Sequence, residues 1–261
     1  MTGLGATPWA ETLKARRSML PWLTALGAAC VPLVGGLFML ILKDPAWARR
    51  LGLITAKAQM RAGTADWSTY VDLLAQAVAV GGLLLFGLIA IASFGREWSD
   101  RTVKDLLALP TPRAAIAGAK FVVIAFWSVI LAAIVYLLGV SIGAAVGLPG
   151  WSPRLALHAA GEIAATTGLT IALVTPFAWT ASAGRGFLPP IGAMLLVVVL
   201  AQILAALGWG PYFPWSIPAL ASGAAGPDVA KLGAGSYLLV ALTGIAGVVA
   251  TLAWWQSADQ P

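Results

Sequence analysis

Six stretches of this chain run without one charged side chain: residues 18–42, 73–95, 121–153, 163–184, 186–227 and 232–258. A helix needs about 20 apolar residues to cross the hydrocarbon core of a bilayer. Backbone groups in lipid must find partners inside their own segment or in a closed sheet. The apolar runs are continuous rather than alternating, which rules out a barrel and leaves helices. Composition agrees: charged residues make up 10% of the 261 positions and mean hydropathy is +0.89, whereas a soluble domain carries roughly 25% charge. The chain is predicted to be all-α, a single polytopic membrane domain over 1–261. Six spans are expected at about 19–42, 70–95, 114–147, 155–182, 188–208 and 233–256.

The 186–227 run is too long for one straight crossing. Its second half, GWGPYFPWSIPALASGAAGP, holds Gly208, Pro211, Pro214 and Pro218, which break helices. It is expected to form a loop lying at the interface, with Trp209, Tyr212, Phe213 and Trp215 at headgroup depth. The first span is too long to be the roughly 7–15-residue core of a cleavable signal. The single cysteine, Cys30, excludes a disulfide within the chain. A net charge of +6, divided among the loops, fits anionic headgroups rather than nucleic acid.

Between the second and third spans the charge returns, in FGREWSDRTVKDLLALPTPR, residues 94–113. Written as a helix, Glu97–Arg101, Asp100–Lys104 and Arg101–Asp105 are i,i+4 pairs of opposite sign. Trp98, Thr102, Leu106 and Leu109 share one face. Pro110 ends the segment, Thr111 suits an N-cap and Pro112 a first helical position. A short amphipathic helix over about 97–109 is therefore expected, either resting on the membrane surface or docking into a soluble partner. The basic segment 44–67 also has an amphipathic side, Trp47, Leu51, Ile54 and Ala58 beside Arg50, Lys57 and Arg61. It reads equally as an interfacial helix or a solvated loop.

The six spans and the stretch REWSDRTVKDLLALPTPR resemble the permease subunits of ATP-binding-cassette (ABC) transporters. The resemblance is to the type-two exporter group that includes bacitracin-resistance and lantibiotic-immunity permeases. That group carries a glutamate, a Gly-Thr, a leucine pair, a proline and an arginine here. This chain matches with Glu97, Arg101-Thr102, Leu106-Leu107, Pro110 and Arg113, Arg101 replacing the glycine. The resemblance implies that 97–109 is a coupling helix seated in an ATPase, using Glu97, Asp100, Arg101, Thr102, Lys104, Asp105, Leu106, Leu107, Pro110 and Arg113. It also implies two copies of an ABC ATP-binding subunit, a permease homodimer or a pair with a related permease, and both termini in the cytoplasm of a cell inner or plasma membrane. The charge count, nine cations on one side against seven, is only a weak positive-inside bias.

No Gly-Lys dipeptide occurs in the chain, so it lacks a phosphate-cradling P-loop. ATP and its magnesium belong to a partner, no cofactor is expected here, and the chain is not expected to be an enzyme. His158 and Glu162, four residues apart in HAAGEIAATTG, fit a polar lining of a substrate path, or a cluster with Arg154 at a span end. Gln76 and Gln202 are candidates for the bundle interior. One histidine and one cysteine cannot build a zinc site. Gly139, Gly143 and Gly147 permit close helix approach, within the subunit or between subunits. Lys120 is expected to snorkel. The alternatives to a permease are a secondary transporter, whose repeats and mid-membrane charges are not evident, and a membrane scaffold with no ATPase partner.

Overall fold

The computed structural model describes residues 18–44, 64–100, 112–223 and 232–257. Six long helices carry the apolar runs: α1 (Leu20–Lys43), α2 (Trp67–Ser99), α3 (Arg113–Val146), α4 (Pro153–Ala183), α5 (Leu188–Ala206) and α7 (Ala234–Ser257). The short α6 (Ile217–Ala221) and two 3-10 turns, Gly210–Tyr212 and Pro214–Ser216, lie between α5 and α7. All six long helices have the length and apolarity of membrane spans. The chain is an all-α multi-pass membrane protein.

The ends of the helices collect at two poles. The near pole holds Leu20, Ser99, Arg113, Ala183, Leu188 and Ser257; the far pole holds Lys43, Trp67, Val146, Pro153, Ala206 and Ala234. At 1.5 Å per residue, α2 and α3 are each about 50 Å long, well beyond the roughly 30 Å of hydrocarbon. α2 outruns its expected span of 70–95 at both ends, whereas α3 agrees with the expected 114–147 to within one residue.

Helices α2 and α4 form the centre and pack on each other more extensively than any other pair. The outer helices turn large apolar side chains outward: Trp22 and Leu26 of α1, Phe126 and Leu137 of α3, Leu196 of α5, Ile245 of α7. Such faces suit lipid. Inward contacts rely on missing side chains. A Cβ on Gly139 would meet Leu74, and one on Gly143 would meet Trp67, so this glycine stripe seats α3 against α2 within the subunit. Gly147 instead ends α3 with a left-handed φ of 67°, and Lys43 Nζ donates to the Val146 carbonyl at 2.7 Å beside it.

The helix starts follow their capping residues. Asp66 accepts the Thr69 N–H at 2.8 Å to open α2, and Ser152 accepts the Leu155 N–H at 3.1 Å to open α4, with Pro153 first in the helix. Pro112 occupies the N-cap of α3, one residue later than expected from Thr111, which lies outside the described residues.

Pro176 removes a ladder donor inside α4. The Ala172 carbonyl it leaves accepts the Thr175 hydroxyl at 2.9 Å, and that hydroxyl also reaches Gly244 O of α7 at 2.8 Å. The Leu173 carbonyl accepts the Trp215 indole N–H at 3.0 Å. The 209–223 segment thus departs from the expected interfacial loop. Trp209 and Tyr212 are exposed as an interfacial reading requires. Trp215, by contrast, enters the bundle, Ile217 is fully buried, and α6 packs on α2 and α4. The Trp215 indole N–H finds an acceptor inside the bundle, the Leu173 carbonyl of α4.

Candidate functional site

The near pole brings together residues from four helices around the foot of α2. Helix α2 continues unbroken to Ser99, so 97–99 are its last turn rather than the start of a separate surface helix. Arg101, Thr102, Lys104, Asp105, Leu106, Leu107 and Pro110 lie outside the described residues. Asp100 caps α2 and pairs with Arg96 at 3.7 Å, both side chains well exposed.

Glu97 does not project outward. Its side chain is 8% exposed, and Oε1 lies 2.9 Å from Lys120 Nζ of α3, itself 2% exposed. The same ammonium donates to the Ser93 carbonyl at 2.9 Å, one turn back along α2, and stands 5.9 Å from the centre of the Phe94 ring. The expectation that Lys120 snorkels is therefore corrected. At the seventh residue after Arg113 its stem turns into the α2–α3 seam, where a carboxylate and a carbonyl already wait. A buried cation is tolerated when paired and hydrogen-bonded in this way.

Aromatic packing ties the other helices to this point. The Phe94 ring lies 5.1 Å from Phe121 and 5.8 Å, edge-on, from Trp255 near the end of α7. The Trp255 indole donates to Ser182 Oγ of α4 at 3.0 Å. Arg113, an expected site residue, reaches the Trp255 carbonyl at 3.4 Å. The short turn between α4 and α5 closes the ring. Arg185 sits there with φ 50°, a left-handed conformation few side chains adopt, and its guanidinium lies 5.5 Å over the Trp98 ring.

At the far pole His158 Nδ1 and Glu162 Oε2 stand 3.7 Å apart, with His158 strongly exposed. Arg154 is exposed too; among the described residues the ion partner of Glu162 is His158 rather than Arg154. Asp72 of α2 is within electrostatic range of His158. Gln76 is half-buried on α2. Gln202 is exposed, at the edge of a shallow apolar cleft bounded by Leu83, Ala201, Trp215 and Ala219, rather than in the bundle interior.

Sequence reasoning missed Lys120, Phe94, Arg185 and Trp255 as members of the near-pole cluster. Lys120 had a signal: a lysine seven residues inside a long apolar helix is costly unless a partner waits. The other three are contacts across elements, which spacing along one helix does not reveal.

A family model described as ABC-2 family transporter protein matches residues 9–202, a stretch covering α1 to α4 and most of α5. The chain belongs to the ABC-2 transporter family. It is similar to the bacitracin transport permease protein BCRB of Bacillus licheniformis, at 24% identity over 192 residues, covering 73% of this chain and 91% of that protein. No solved structure matches. Membership makes this ABC-2 protein a transporter permease subunit, and the near-pole cluster is the part of it where the connection between α2 and α3 begins and ends.

Proposed function

We propose that this ABC-2 permease works with a separately encoded ATP-binding subunit, which docks at the near pole and drives export. The observation that supports the reading best is family membership through residues 9–202 in a chain without a Gly-Lys pair. A transporter of this family needs ATP, and this polypeptide offers no P-loop to hold it. The motor then belongs to another chain.

In this reading the near pole is cytoplasmic, and both termini lie on that side of the cell inner or plasma membrane. The segment following Asp100 is the coupling segment, with Arg101, Thr102, Lys104, Asp105, Leu106, Leu107 and Pro110 available to the motor. Glu97 belongs to its footing rather than its docking face, because the carboxylate turns back onto Lys120. Two permeases and two ATP-binding subunits make the working assembly. His158, Glu162, Gln76 and Gln202 are the polar groups available to cargo from the far half. The relative's name makes an amphipathic peptide such as bacitracin the first cargo to try.

Co-purification tests this reading. The tagged permease, co-expressed with an ABC ATPase from the same genome, is expected to retain that ATPase through purification and to lose it when 101–109 is deleted. A chain that purifies alone, or a deletion that leaves the ATPase bound, contradicts it. Stimulation of ATP hydrolysis across a small peptide panel beginning with bacitracin then addresses the cargo.

A further inference from the structure

The Glu97–Lys120 pair sits where the coupling segment joins both of its spans. Glu97 is three residues before Asp100, the cap of α2. Lys120 is seven residues beyond Arg113, the first residue of α3. Their bond therefore closes a loop containing little besides the coupling segment. Burying two charges is costly, and an apolar pair of the same volume would hold two helices together at least as well. What an apolar pair lacks is direction. Leucine against leucine can slide along a helix or roll around it. The Lys120 ammonium, at 2.9 Å from both Glu97 Oε1 and Ser93 O, grips two acceptors one turn apart on α2. Charge-assisted bonds to two points fix both the register and the rotation of α3 against α2.

We propose that Glu97 and Lys120 are positioning residues: a latch that makes the feet of α2 and α3 one rigid body, so that a pull on the coupling segment moves both spans together. This rests on the permease-and-motor reading above. The aromatic surroundings agree with it. Phe94, beside the ammonium, contacts Phe121 and Trp255, so the clamped pair also bears on α7. The motion would reach three spans from one lever. Without the pair, the same pull would spread the two feet and be lost locally.

Distance measurements with spin labels test the latch. The full chain, with its ATP-binding partner, is placed in lipid nanodiscs on a Cys30→Ala background, labelled subunits being diluted with unlabelled ones. One label pair, Asp100→Cys with Pro112→Cys, reports the two feet. A second, Ser68→Cys with Tyr237→Cys, reports the far ends of α2 and α7. With the native latch, the first pair is expected to give one narrow distance that ATP and vanadate leave unchanged, while the second shifts.

The double variant Glu97→Gln/Lys120→Met removes both charges of the pair together. It is expected to broaden the first distance and lose at least half of the second shift, although vanadate still traps nucleotide. The reversed pair Glu97→Lys/Lys120→Glu restores the ion pair but not the bond to Ser93 O, and is expected to recover part of both, which a merely space-filling role would not require. A neutral variant that keeps the narrow distance and the full shift overturns the latch. So does a native protein whose far ends ignore nucleotide. Absence of a bound ATPase from the native chain counts against the permease-and-motor reading instead, and the width of the first pair without nucleotide still shows whether the two feet are clamped.

Discussion

The indole N–H of Trp215 donates to the backbone carbonyl of Leu173 at 3.0 Å, joining the turns after α5 to the second half of α4. Three residues further along α4, Pro176 interrupts the ladder. The Ala172 carbonyl that Pro176 leaves is satisfied within α4 by the Thr175 hydroxyl, which also reaches Gly244 O of α7, while Trp215 adds a donor from the turns after α5. In an apolar setting such a repair is worth more than its distance suggests, because the alternative is an unpaired carbonyl.

Trp215→Phe keeps the ring and removes the donor. Losing this hydrogen bond is expected to cost about 0.5–1.5 kcal/mol, read as a lower melting temperature in detergent. Trp209→Phe, on an exposed ring at the same pole, is expected to leave that temperature unchanged.

Lys120→Met takes the ammonium away from the buried carboxylate of Glu97. Removing one partner of a buried pair is expected to cost about 3–5 kcal/mol, again as a fall in melting temperature. Adding Glu97→Gln to the same chain should recover much of that loss. A double variant as unstable as the single one would place the cost in packing rather than in charge.

Gly139 and Gly161 make a matched pair of sites. A methyl at Gly139 meets the Leu74 side chain, whereas one at Gly161 has nothing within 4 Å. Gly139→Ala is expected to destabilise by about 1–3 kcal/mol through overpacking. Gly161→Ala is expected to be neutral or mildly stabilising, since alanine is the better helix former.

Asp66 supplies a pH dependence. Burial pushes its carboxyl up, but hydrogen bonds from the Thr64 hydroxyl, the Thr69 N–H and the Ser68 hydroxyl outweigh that and bring it to about 2. A folded value below the unfolded one gives stability that is complete above the ordinary range of about 3.9. It is lost as pH falls from there through the folded value. Asp66→Asn should retain the cap and remove this acid sensitivity, while Asp66→Ala should lose about 1 kcal/mol of capping at neutral pH. Melting curves between pH 2 and 7 (an order-of-magnitude window about the carboxylate range) distinguish the two.

The spans were legible because a bilayer permits so few solutions. Six charge-free runs allow little else, although the starts marked by Asp66 and by Ser152 with Pro153 lie ahead of the expected 70 and 155. What the sequence concealed was direction. Glu97 and Lys120 are 23 residues apart, and nothing in either helix alone says that one turns toward the other. Glu97 looked like part of a surface helix because Arg101 lies four residues ahead, yet α2 simply continues through it. Trp215 looked interfacial because tryptophans usually are. Its acceptor inside the bundle, the Leu173 carbonyl, lies 42 residues away in the chain. Gln202 was assigned inward because a lone amide is costly in lipid, but it is exposed at the edge of a cleft.

Photo-crosslinking in intact membranes asks directly whether a separate motor sits at the near pole. A photoreactive residue replaces Asp100, exposed at the foot of α2, or Tyr212, exposed at the opposite pole, in cells that also make the ATP-binding subunit. Crosslinks from position 100 to that subunit, with none from position 212, are the expected result. Crosslinks from position 212, or from neither position, would contradict a motor docked on the connection between α2 and α3.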